Sequence, residues 1–510
     1  MKQDIYLYFL LNLVISYEIK ILLENIHNYG NEYITFCSYV VLLDGLYNCV
    51  TMQLKKLMKN IINKLRLNSN GGVTMIKRIN KDSIILGLAL FAMFFGAGNL
   101  IFPPSIGIEA GDEWFGAMMG FFLTGIGMPL LGILAISKAG GTLENFAGKV
   151  NNKFAKIYGS IAVLVLGPLL GVPRTGATTY EMGIRPIFSD ISPIIVSIIF
   201  FSITLFLVIK PSGIIDRIGK ILTPVLLVML SIIIYKGITS PIGTPLNTGM
   251  TNPFSNGFTE GYQTMDVIVS TIIGGIIVKS LIEKGYKDKK TQFKITLKAG
   301  LISAIGLAVV YGGLLYLGAT GTSVFSNDIA KTSLTVAIVG KILGEIGKIV
   351  LGICVTAACL TTSVGVTATV GDFFSNITEG KLSYKLVVTI STVLSAIIAN
   401  IGVEKIVSFA APLLAVIYPV AIVLVVLNLF DEIITNKKVY TGAVYGTLMV
   451  SVLDGLIALG LDSPIIQNIM NILPLADKGF GWIVPAVIGM GIVIFMTRLS
   501  KKRRIEKEYV

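Results

Sequence analysis

The residues able to do chemistry here lie inside apolar segments. Phe94-Phe95-Gly96-Ala97-Gly98-Asn99-Leu100-Ile101-Phe102-Pro103-Pro104 interrupts a stretch otherwise long enough to cross a bilayer. Glycine and asparagine weaken a helical ladder, and the two prolines remove two N–H donors and bend the chain after them. Backbone groups freed in hydrocarbon must be satisfied by protein, water or a bound solute, so the break marks either a kinked, closely packed helix or a site. A second interruption is expected at Ser270-Thr271-Ile272-Ile273-Gly274-Gly275, and Ala358-Cys359-Leu360-Thr361-Thr362-Ser363 puts three hydroxyls together. Such groups bind ions and zwitterions: the positive N-terminal ends of half-helices hold a carboxylate, while loosened carbonyls and hydroxyls hold a small cation. For the three hydroxyls, the packing alternative is bonding across helices or back to the preceding turn.

Composition sets the medium in which those groups work. The 510 residues are 54% hydrophobic and 14% charged, with a mean hydropathy of +0.80, which describes an integral membrane protein. A net charge of +13 belongs on cytoplasmic loops in such a protein and does not call for nucleic acid. His27 is the single histidine, and Cys37, Cys49, Cys354 and Cys359 have neither disulfide nor metal spacing. No nucleophile, base or metal constellation appears in the membrane segments, which argues against an enzyme, and no repeated filter argues for a channel.

The elements that must position these groups are transmembrane helices. Residues 1–74 differ from the rest, with apolar runs too short to span and no signal-peptide pattern. They are expected to be an N-terminal extension outside the functional unit, which begins at Met75; Gly71-Gly72 can encode a ribosome-binding site before it. About twelve crossings follow by apolar length, near 84–106, 114–136, 157–180, 189–209, 218–237, 264–282, 296–318, 347–370, 383–402, 405–429, 440–461 and 480–498. Alternate loops are basic, as at Lys77 and Arg78, Lys149 and Lys153, Lys287 and Lys290, Lys437 and Lys438, and Lys501 to Arg504, so both termini are expected in the cytoplasm. Residues 327–348, with three lysines on the outer side, are expected to form an amphipathic helix on the outer surface. The two interruptions are five crossings apart, an odd offset that reverses direction. It predicts two inverted five-helix repeats, 84–237 and 264–429, with two extra helices at 440–498.

The block Phe91–Pro104, together with Leu123-Thr124-Gly125-Ile126-Gly127-Met128-Pro129, Gly167-Pro168-Leu169-Leu170-Gly171-Val172-Pro173-Arg174-Thr175, Glu260-Gly261-Tyr262-Gln263-Thr264-Met265-Asp266 and Leu360-Thr361-Thr362, resembles the bacterial branched-chain amino-acid:cation symporters. The resemblance runs from about Lys81 to the C-terminus. It implies sodium-driven uptake of leucine, isoleucine and valine across the cytoplasmic membrane, on the inverted-repeat fold of sodium-coupled leucine transporters, with no cofactor beyond the coupling ion. By the same resemblance Gly96, Ala97, Gly98 and Asn99, with Thr271 and Gly274 from the sixth crossing, meet the substrate. Asn99 and a second set made of Ala92, Phe95, Ala358, Thr361 and Thr362 meet sodium. Asp266 is expected as a helix cap in the outer vestibule, or as the titrating group of a proton-coupled carrier. Arg174 and Glu181 are expected at a solvated outer position, with a gate pair at the outer end of the third crossing as the alternative.

Overall fold

The computed structural model describes residues 72–209, 214–326, 328–434, 436–461 and 463–508. Expectations for residues 1–71 lie outside them. The chain divides between Ile79 and Asn80, and the helical bundle is built from Asn80 onward.

Among the described residues the secondary structure is helical. In chain order the helices are α1 (Gly72–Phe94), α2 (Ala97–Ala110), α3 (Trp114–Phe122), α4 (Met128–Lys138), α5 (Leu143–Ala147), α6 (Asn152–Leu164), α7 (Gly171–Thr178), α8 (Pro193–Ile209) and α9 (Ile214–Thr239). They continue as α10 (Pro253–Glu260), α11 (Asp266–Glu283), α12 (Lys289–Thr320), α13 (Lys331–Ile377), α14 (Tyr384–Ala399), α15 (Val403–Leu429), α16 (Lys438–Ala458), α17 (Pro464–Ile472) and α18 (Ile483–Glu508). Several starts follow from a capping side chain that satisfies an orphan N–H: Asn151 accepts from Phe154, Asp288 from Thr291, Ser383 from Leu386 and Ser463 from Ile466.

Six helical runs of the described residues are long and apolar enough to cross a membrane, and a seventh if the bent pair α10–α11 counts as one span. Ile195, Ile198, Phe206, Ile390, Ile397 and Phe495 are all more than half exposed on the outside of the bundle. An apolar surface of this kind needs hydrocarbon around it. Inside, close backbone approach replaces the hydrophobic drive that lipid cannot supply. A methyl at Gly107 would lie 2.0 Å from the Leu315 carbonyl oxygen and one at Gly318 2.1 Å from that of Pro104, so α2 and α12 touch backbone to backbone. Gly120 against Phe254 and Gly257 against Ala117 do the same for α3 and α10.

Two sequence expectations change here. The outer helix is the first part of α13, up to a kink at Gly344 (φ 67°). It packs into the protein and does not lie on its surface: Thr332, Leu334, Thr335, Ile338 and Val339 are buried, and Thr335 donates to the Leu100 carbonyl at 3.0 Å. Pro104, one turn on from Leu100, has no N–H for that carbonyl, and the Thr335 hydroxyl takes its place. The second interruption falls at Met265 (φ 62°), after the tight turn Gly261–Thr264, and not at Ser270–Gly275. The later stretch stays helical because Ser270 and Thr271 donate back to the Val267 and Ile268 carbonyls at 2.6 and 2.8 Å. Gly274 and Gly275 serve close packing, against Ile133–Ile136 and the Gly141 carbonyl.

Candidate functional site

The site begins with the break between α1 and α2. Phe95 still donates to Phe91 at 2.8 Å, but the Gly96 N–H turns to the Asn99 side-chain oxygen at 3.0 Å. That leaves the Ala92 carbonyl outside the helical ladder. The Asn99 amide nitrogen donates to Asp266 Oδ2 at 2.8 Å and to the Tyr311 hydroxyl. Tyr311 in turn donates to the same carboxylate oxygen at 3.3 Å. Only one orientation of the amide gives an N–H an acceptor and a carboxylate a donor, so Asn99 is fixed at both ends.

Asp266 opens α11, across a 46° bend from the preceding helical segment. It is 1% exposed, in contrast to the vestibule position expected from sequence. Its hydrogen-bond partners Asn99 and Tyr311, from α2 and α12, are neutral, and Arg174 of α7 is the cation within electrostatic reach of it. The first N–H groups of α11 already have acceptors: Asp266 N donates to Thr264 Oγ1 at 3.3 Å and Val267 N to the Tyr418 hydroxyl at 3.2 Å.

Arg174, expected in solvent, is 5% exposed. It lies in α7, which follows a π-helical turn Val165–Leu169 whose Gly167 leaves helical geometry (φ −84°, ψ −117°). Its Nη1 donates to the Gln263 carbonyl at 2.7 Å, at the end of the turn that precedes Met265. The guanidinium stands 5.3 Å from the centre of the Phe102 ring. Glu181 is not its partner; that carboxylate accepts from Thr332 Oγ1 at 2.7 Å and Val403 N at 2.9 Å. Above this layer Lys331 joins Glu260 at 2.6 Å and Glu109 at 3.4 Å and also faces the Phe102 ring, at 5.8 Å. The start of α13 is thereby tied to both α10 and α2.

Of the residues expected to bind substrate, Gly96, Ala97, Gly98 and Asn99 line the first break. Thr271 and Gly274 lie one to two turns inside α11, away from the second. Among those expected to bind sodium, a methyl at Gly96 would be 3.5 Å from Thr362 Oγ1, so α13 meets the break at Thr362. Thr361 donates to the Ala358 carbonyl at 2.9 Å, the back-bonded arrangement. The carbonyls of Ala92, Phe95 and Ala358 and the two hydroxyls are uncharged oxygen donors, and that of Ala358 accepts from Thr361. Sequence reasoning missed Tyr311, Gln263 and Tyr418. Tyr311 carried one signal, a phenol beside Gly312-Gly313 in an apolar helix, because a buried tyrosine hydroxyl needs a partner.

The described residues form a helical bundle with two broken helices joined at a buried polar cluster, and comparison with known proteins identifies a membrane transporter. Residues 79–500 match the model of the branched-chain amino acid transport protein family. The chain is 40% identical over 426 residues to the branched-chain amino acid permease BraB of Bacillus subtilis, covering 82% of this chain and 96% of that protein. It is 35% identical over 429 residues to the branched-chain amino acid transport system 2 carrier protein of Pseudomonas aeruginosa, covering 83% and 98%. In fold it is similar to a manganese transporter of Eremococcus coleocola, with a TM-score of 0.53 at 12% identity over 83% of this chain and 97% of that one. This chain belongs to the branched-chain amino acid transport family, whose named members are carriers and permeases and not enzymes.

Proposed function

We propose that this protein imports leucine, isoleucine and valine across the cytoplasmic membrane by symport with sodium. The carrying observation is the junction of the two helix breaks through Asn99, Asp266 and Tyr311 in a chain of this family. A zwitterion needs an anion site, a cation site and an apolar enclosure. The N-terminus of α2 offers the first, Asp266 and the carbonyls released at the breaks offer the second, and the buried side chains Phe95, beside Tyr311, and Phe102, beside Arg174, offer apolar surface. Sodium is assigned to the α1–α13 junction at Ala92, Phe95, Ala358, Thr361 and Thr362, with Asn99 linking that junction to the substrate. Twelve crossings in two inverted halves, α1–α9 and α10–α15, followed by α16 and α18, account for the packing. The pairing of α2 with α12 mirrors that of α11 with α4, and α9 on α13 mirrors α15 on α7. Both termini then face the cytoplasm.

A second reading, proton coupling, is favoured by the burial of Asp266 with two neutral hydrogen-bond partners, Asn99 and Tyr311, because a carboxylate at membrane depth is costly unless it binds a proton or a cation. Uptake of labelled leucine into vesicles separates the two. A sodium gradient at equal pH on both sides should drive accumulation; accumulation driven only by a pH gradient, in sodium-free medium, would replace sodium with the proton. Failure of any gradient to drive leucine, isoleucine or valine would refute both.

A further inference from the structure

The α2 terminus and Arg174 lie together. At a helix N-terminus the first N–H groups have no intrahelical acceptor, and the aligned peptide dipoles favour negative charge there. At α2 the Asn99 side chain serves Gly96, and Ala97 and Gly98 follow as the first two residues of the helix. At α11 the corresponding N–H groups are capped by Thr264 and Tyr418, and a carboxylate, Asp266, already stands there. The two ends therefore differ in sign.

The guanidinium of Arg174 is aimed at the α2 end. A Cβ placed on Gly98 would lie 2.9 Å from Arg174 Nη2 and 3.2 Å from its Cζ, so only a glycine lets the group come this close to the backbone. Nη1 is committed to the Gln263 carbonyl, whereas buried Nε has no hydrogen-bond partner. An arginine presents parallel N–H groups along an edge, and that edge matches the two oxygens of a carboxylate. A buried, unpartnered guanidinium nitrogen beside the first N–H groups of a helix, which have no intrahelical acceptor, calls for an anion.

We propose that Arg174 binds the α-carboxylate of the transported amino acid through its Nε–Nη2 edge, together with the backbone N–H groups at Ala97 and Gly98. This rests on the importer reading above. The amino group then points toward Asp266, whose helix start follows the Gln263 carbonyl held by the same arginine. Arg174 and Asp266 thus receive the two ends of one zwitterion, which leaves the side chain to be selected by apolar contacts.

The experiment is a binding competition on the purified full-length protein, with labelled leucine displaced by unlabelled leucine or by leucinamide, which keeps the amino group and side chain but has no carboxylate. The wild type should prefer leucine strongly. Arg174→Gln should lower leucine affinity about a hundredfold, as loss of a buried charge partner does, while leucinamide affinity changes little, so the preference collapses. Arg174→Lys should fall between the two. If Arg174 only held the broken helix, both ligands would weaken together and the preference would persist, which overturns the proposal. Should Arg174→Gln fail to fold, Gly98→Ala carries the test, because its methyl displaces the guanidinium without removing it; an unchanged preference there overturns the proposal equally. A wild type that binds none of leucine, isoleucine or valine would instead overturn the importer reading, and this assignment with it.

Discussion

Asn99→Ala removes the side chain on which the two helix breaks meet. Three contacts disappear: the acceptor for Gly96 N–H at 3.0 Å, the donor to Asp266 at 2.8 Å and the donor to Tyr311. A hydrogen bond to a charged group contributes about 1.5 to 3 kcal/mol, and a buried N–H left without a partner costs about 1 to 3 kcal/mol. The sum, about 2.5 to 6 kcal/mol, acts partly on stability and partly on the coupling of ion and substrate. A coupling share of about 1 to 3 kcal/mol corresponds to a factor of about 5 to 150, and linkage makes it reciprocal. Half-maximal leucine uptake should then need about 5 to 150 times more sodium, and at fixed sodium the leucine concentration for half-saturation should rise by the same factor. The assay is initial-rate uptake in vesicles across a grid of sodium and leucine concentrations, normalised to the amount of protein in the membrane. Normal uptake with unchanged sodium dependence would reduce Asn99 to a packing residue. A shift in leucine affinity with none in sodium would place it in the substrate site alone.

Four further outcomes are expected. Gly120→Ala pushes a methyl to 1.9 Å from the Phe254 carbonyl oxygen, whereas Gly365→Ala meets nothing within 4 Å; the first should cost about 1 to 3 kcal/mol by overpacking and lower the melting temperature in detergent, and the second should leave it unchanged or higher. Lys331→Met breaks the link to Glu260 and Glu109, so the outer face should open more often, read as faster labelling of a cysteine introduced at Phe102 in a cysteine-free background. A reporter fused near Asn247 should read outside and one after Lys438 inside, and a cytoplasmic reading at Asn247 would contradict the inverted halves. Finally, burial tends to raise the Asp431 carboxyl, but hydrogen bonds from Lys149 and Tyr440 outweigh it and hold the group below the usual carboxylate range. A depressed folded-state value contributes stability above the unfolded value of about 3.9 that is lost as pH falls through the folded one. The melting temperature should therefore fall more steeply below about pH 4 in the wild type than in Asp431→Asn.

How much of the fold and site was legible in the chain varies from residue to residue, for physical reasons. Apolar length determines that the segments are helices in a membrane, because only a helix or a closed barrel satisfies its own backbone in hydrocarbon. The break at Gly96–Asn99 was equally plain, since glycine, asparagine and a proline pair act locally on the ladder. The second break was misplaced because two glycines and two hydroxyls look the same in sequence whether they interrupt a helix or pack it. Ser270 and Thr271 bond back to their own turn, and Gly274 faces Ile133 and Ile136, neither of which a linear pattern can show. The true break, at Met265, is a left-handed backbone conformation at a residue type that gives no sign of it. The charged members of the site depended most on tertiary structure. Asp266 and Arg174 each stand near a segment end, where solvent is the reasonable expectation. They are buried because α2 and α11 meet end to end and the first part of α13 closes above them. Burial is a property of what surrounds a side chain, and for these two the surroundings come from segments about 90 to 170 residues away in the chain. Residue types and local breaks lie in the sequence itself, while the junction that gives them a common purpose exists only in the folded bundle.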